Sequence, residues 1–156
     1  MKIVINNKIK IFIYVITTLL LVYLLIYIDV VLRAKEAYLQ GEKYWSWYEN
    51  PSLKEIELKK KLKNDIIKLG KKLAKRKIDK EKYEKELEIL KFKYKNELEE
   101  SSIKYAYVWY QTAVELFSPP ESKWVKLART KMLIAKEKWK QELRQKNIPF
   151  EDYMIE

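Results

Sequence analysis

With no cysteine and no histidine in its 156 residues, this chain has carboxylates, lysine, tyrosine and serine left with which to do chemistry. That composition removes thiolate and imidazole nucleophiles, c-type haem attachment, zinc sites and the usual general base near neutral pH. The sequence also carries no Gly-rich phosphate loop, no His-bearing metal motif and no nucleophile elbow. Carboxylates are plentiful, but they alternate with lysines on helical spacing, as in Glu81 and Lys85, which is the pattern of solvated surface charge. The expectation is a chain that is not an enzyme and has no cofactor: no catalytic residues, metal, haem or nucleotide.

What stands out instead is aromatic. Tyr44, Trp45, Trp47 and Tyr48 crowd one segment, Tyr105, Tyr107, Trp109 and Tyr110 another, and Trp124 and Trp139 flank a third. Aromatics at helical spacing usually pack between helices. Trp45 and Trp47 are two residues apart, however, and so lie on different faces of a helix, as do Tyr107 and Trp109. Packing one face inside the domain leaves the other to be explained. Trp and Tyr beside Arg and Lys are the chemistry of protein–protein hot spots. The candidate partner-binding residues are Trp45, Trp47, Trp109, Tyr110, Trp124, Arg129 and Trp139, with residues 101–139 as the main docking element. Core packing is the competing reading of the same rings.

The element that must place these residues begins with a run free of charge. Residues 11–28, IFIYVITTLLLVYLLIYI, are all apolar, Tyr or Thr, bracketed by Lys10 and Asp29. Val30, Val31 and Leu32 continue it, giving the roughly 20 residues that a helix needs to cross the hydrocarbon layer. Thr17 and Thr18 can return their hydroxyls to the backbone. The alternative is a cleaved signal peptide, but the run exceeds the usual ~7–15 apolar residues and no small-x-small site follows. Lys2, Lys8 and Lys10 precede the span, so the chain reads as a signal anchor in the inner membrane, N-terminus cytoplasmic and C-terminal domain periplasmic.

The fold class expected is all-α: one transmembrane helix, then a helical-hairpin or coiled-coil-like domain with a Trp/Tyr-rich C-terminal helix pair. Two glycines leave little for β-turns, and no stretch alternates polar and apolar for long. The boundaries are a basic head (1–10), the span (11–32), a juxtamembrane helix (33–50), a charged hairpin (51–100), and an aromatic hairpin with a tail (101–156). Ser52 is expected to cap the second helix, whose stripe is Leu58, Leu62, Ile66, Leu69 and Leu73. Asp79 is expected to cap the third. Helical spacing persists across Ser101-Ser102, predicting one helix of nearly 40 residues that ends at Ser118-Pro119-Pro120. The last helix opens near Ser122 with Trp124, Leu127, Ala128, Met132, Ala135, Trp139 and Leu143 as its apolar set.

Leu69, Leu73, Ile78-Asp79-Lys80-Glu81, Tyr83 and Leu87 resemble the short helical hairpin of the SHOCT type over about 30 residues, with Lys77 where that module usually has Gly. The resemblance implies self-association or docking. Residues 105–139, YAYVWYQTAVELFSPPESKWVKLARTKMLIAKEKW, resemble a single tetratricopeptide-style helix pair, with no second full period.

Residues 51–100 carry 17 basic and 11 acidic residues, over half of the net +11. Lys far outnumbers Arg and there is no Arg-rich loop, so nucleic acid is not an expected partner. The expected partners are the lipid bilayer, a protein complex of the membrane, and further copies of the chain. The function expected is a membrane-anchored, non-catalytic accessory or assembly subunit. The alternatives are a bitopic coiled-coil envelope factor of the cell-division or phage-lysis kind, and a stator-like stalk subunit.

Overall fold

The computed structural model describes the backbone of residues 7–155 and side chains from Lys10 onward, so most of the basic head lies outside the described residues. Those residues form five α-helices and no strand: α1 (Asn7–Glu49), α2 (Pro51–Ala74), α3 (Lys80–Glu99), α4 (Ser102–Glu115) and α5 (Lys123–Gln145), with a short 3₁₀ turn at Asp152–Ile155. The described residues are all-α, as the sequence predicts.

The first helix runs unbroken for 43 residues, about 65 Å, carrying the apolar run and the juxtamembrane segment as one rod. Its apolar half is exposed along its whole length. There the Thr17 and Thr18 hydroxyls donate to the carbonyls of Ile13 (2.8 Å) and Tyr14 (2.9 Å), so neither is left unpaired. Burial begins at Ala34 and recurs at Ala37 and Gly41, a stripe spaced for one face of a helix, and Trp47 is buried on a different face.

That stripe of small residues lets α4 and α5 come close. Ala106 and Ala113 on α4 and Ala128 and Ala135 on α5, each pair two turns apart, close the other sides of the same core. Ile103, Tyr107 and Tyr110 supply the bulk. Gly41 lies directly under the Tyr110 ring, where an added Cβ would fall 2.6 Å from Cδ1 and closer still to Cε1. The tail returns to this bundle: the Tyr107 hydroxyl donates to the Ile155 carbonyl (3.0 Å) and Lys140 pairs with Asp152 (2.7 Å).

The second and third helices pack on each other and meet the bundle at their base. Lys61 pairs with Glu97 (2.8 Å) and Lys72 approaches Glu86 (3.8 Å), so partners descend along α3 as they ascend along α2. Leu58 and Leu69 of the expected stripe are buried, and Leu62, Ile66 and Leu73 half-buried. A Schellman turn ends α2: Lys77 N–H donates to the Lys72 carbonyl (2.9 Å) and Arg76 N–H to that of Leu73 (2.8 Å), with Arg76 left-handed at φ 53°. Asp79 then caps α3 by accepting from Lys82 N–H at 2.7 Å, as the sequence predicts.

Two expectations are corrected. The cap of α2 is Asn50, not Ser52, because Pro51 fits the first helical position, where its missing N–H costs nothing. The predicted 40-residue helix is two, broken at Glu100-Ser101. In a continuous helix Lys104 N–H would donate to the Glu100 carbonyl. Instead it donates to Ser101 Oγ (3.2 Å), while the Glu100 and Leu98 carbonyls accept from Lys54 Nζ at 2.6 and 3.0 Å. A lysine from α2 has taken the bonds that would have carried the helix on.

Candidate docking site

The aromatic residues singled out by sequence are divided between the inside and the seams of the α1–α4–α5 bundle. Tyr110 is wholly inside, at 0 % exposure. Its hydroxyl donates to Glu42 Oε1 (2.6 Å), and Glu42 also receives Lys131 (3.1 Å), tying all three helices together. Burial pushes the Tyr110 phenol well above its usual range, and the bond to the Glu42 carboxylate pushes it further. Trp47 is also buried, set edge-on to Tyr44 (5.1 Å) with Lys43 Nζ 4.6 Å above its ring. Tyr110 thus faces the α1–α4–α5 core, whereas Trp47 faces the cleft between α1, α2, α3 and α4.

The others sit half-buried at the seams. Trp45 lies between α1 and α5, with Lys131 5.0 Å and Lys138 5.8 Å from its ring and Tyr48 beside it. Such cation–π contacts each contribute about 0.5–1 kcal/mol near a surface. Trp139 packs on Tyr107 (5.7 Å), and Trp109 lies against the core from α4. Trp124 meets Tyr38 (5.7 Å) and is flanked by Lys35 (5.6 Å) and Lys123 (4.5 Å). Arg129 is exposed and paired with Glu121.

The outer face of α5 was not foreseen as free. Leu127, one of its apolar set, is 47 % exposed, and Val125, outside that set, is buried. Leu133 (60 %) and Ile134 (46 %) extend this apolar strip along the side of α5 turned from the core. The signal was present in the spacing: Leu127 and Ile134 are seven apart, but one position out of phase with Ala128 and Ala135.

A cleft of about 410 Å³ lies where α1, α2, α3 and α4 meet, lined among others by Trp47, Lys54, Glu57, Glu97 and Tyr105. Four of its six charged residues are ion-paired, Lys43 with Glu57 (3.6 Å) and Lys61 with Glu97 (2.8 Å). Burial lowers the Lys54 ammonium below its ordinary range, against the pull of Glu100 and Glu142. This chemistry joins the base of the α2–α3 pair to the bundle. Sequence reasoning missed Lys54 and Glu42, since a lysine or glutamate that reaches another helix looks like surface charge.

No family model matches the chain, and no curated protein and no solved structure matches it either. The two local resemblances therefore rest on their own residues.

Proposed function

We propose that this chain is a membrane-anchored, non-catalytic accessory or assembly subunit that docks to a larger membrane or envelope complex through residues 101–139. The observation that supports this reading is the strip Leu127, Leu133 and Ile134 on the outside of α5, beside Trp45 and its lysines. Apolar side chains grouped on one exposed face are the usual mark of an interaction site. The unbroken α1 supports the anchor, since its apolar half and the face that packs on α4 belong to one helix. N-terminus in and domain out remains the orientation proposed.

The bitopic coiled-coil reading draws support from the antiparallel ion pairs of α2 and α3, which form a coiled-coil-like arm on the order of 35 Å long. A stator-like stalk fits less well, because breaks at Asn50, at residues 75–79 and at Glu100-Ser101 interrupt the long rod that role requires.

The test is copurification of the full chain in mild detergent beside a Leu133→Glu/Ile134→Glu variant. The expected result is a partner held by the wild type and lost by the variant, with helicity and Tm unchanged. A partner retained by the variant would remove this face from consideration.

A further inference from the structure

The loop joining α4 to α5 lies at the membrane end of the molecule. Tyr105 stacks on Tyr44 (5.2 Å) and Tyr110 meets Tyr38 (5.9 Å), so α4 runs down α1 toward its apolar half. Trp124 meets Tyr38, Lys131 reaches Glu42 and Lys138 lies over Tyr48, so α5 climbs back. Leu116 is six residues past Tyr110, about 9 Å further down. The same distance back along α1 from Tyr38 and Gly41 reaches residues 32–35, where the apolar continuation Val30-Val31-Leu32 ends. Even measured from Ile28, the loop stands only about 6–10 Å away, against a headgroup layer of roughly 5–7 Å on each side of the bilayer. A tilt of about 20°, common for single spans, lowers one side of the bundle further.

The side chains there suit that layer. Leu116 is 69 % exposed, and Trp124 presents a half-buried indole flanked by two ammonium groups. Trp with neighbouring Lys is enriched where lipid meets water. The charges at this end balance: Arg33, Lys35, Lys123 and Lys126 stand among Asp29, Glu36, Glu115 and Glu121, with Arg33 paired to Asp29 (2.7 Å).

We propose that the α4–α5 loop and the first turn of α5 rest in the headgroup layer of the bilayer that α1 crosses, with Leu116 and Trp124 as the contacting side chains. This rests on the reading of α1 as a membrane span. It gives Trp124 a lipid partner and leaves protein docking to the α5 strip further from the membrane. It also seats the bundle: α1 holds it at one point and the loop at a second, which limits how far it can swing about the span.

A chain without cysteine can be labelled at one introduced site. Bimane is attached to Leu116→Cys, Leu21→Cys and Ile148→Cys of the full chain in phosphatidylcholine/phosphatidylglycerol nanodiscs containing lipids with a nitroxide near the headgroup. Ile148 lies beyond the far end of α5 and is exposed, and Leu21 lies mid-span. Loss of fluorescence is expected at position 116 with the headgroup nitroxide and at 21 with a nitroxide moved to the acyl chain, with 148 unquenched by either. Quenching at 21 alone would overturn the seat and leave the anchor standing. No quenching at 21, even with the nitroxide moved to the acyl chain, would overturn the anchor and the seat together.

Discussion

Tyr110 and Gly41 show how single residues set the spacing of the bundle. Because the ring fills the space a side chain would need at Gly41, Gly41→Ala should destabilise by about 1–3 kcal/mol through overpacking, more than the ~1 kcal/mol that alanine gains inside a helix. Thermal unfolding followed by circular dichroism is the check, and a raised Tm would contradict it. Tyr110→Phe removes a charge-assisted hydrogen bond to Glu42 and should cost roughly 1.5–3 kcal/mol. It should also change the pH profile. The Tyr110 phenol is held above its ordinary value of 10.0, so only the unfolded chain ionises there as pH rises. That stability is present below about pH 10 and lost as pH climbs past it, so Tm should fall less steeply with alkali in the variant. At this scale the sequence was half legible. It marked the aromatic residues as special, but inside and outside were decided by partners. Tyr110 turns inward because Gly41 on the neighbouring helix makes room, and a lone Gly does not announce what will lie over it.

The helices themselves were easier to read than their ends. Leucine spacing located α2, the aspartate located the start of α3, and Pro119-Pro120 marked the region between α4 and α5. Asp79→Ala should cost roughly 1 kcal/mol, the usual loss for an N-cap. Arg76→Gly should do the reverse and raise stability by about 1 kcal/mol, since a left-handed residue with a side chain is strained and glycine is not. The break at Glu100 was only half legible in the sequence: Ser101, which caps α4, was the one local signal. Apolar spacing there stays helical, and the other half of the break is long-range: Lys54, 46 residues earlier, bonds the Glu100 carbonyl while Ser101 takes the Lys104 N–H. Lys54→Met leaves those carbonyls without their donor and should loosen the joint between the α2–α3 pair and the bundle. Hydrogen exchange would show it as faster exchange at residues 98–104 while the core of α4 stays protected.

Taken whole, a helical segment long and apolar enough to cross a membrane, a three-helix bundle and a two-helix arm are joined through one continuous rod; on the proposed anchor reading, anything bound to the bundle is held at a set height over the bilayer. The orientation across the membrane has its own check. Alkaline phosphatase fused after Glu156 should be active in cells, whereas a fluorescent protein that matures only in the cytoplasm should stay dark. More central is the proposal that α1 is an anchor and not a leader removed after export. The direct measurement is the intact mass of the chain recovered from carbonate-washed membranes. The expected result is a membrane-retained chain that still carries residues 11–28. A chain that begins beyond residue 28, or one released into the wash, would contradict the account at its base.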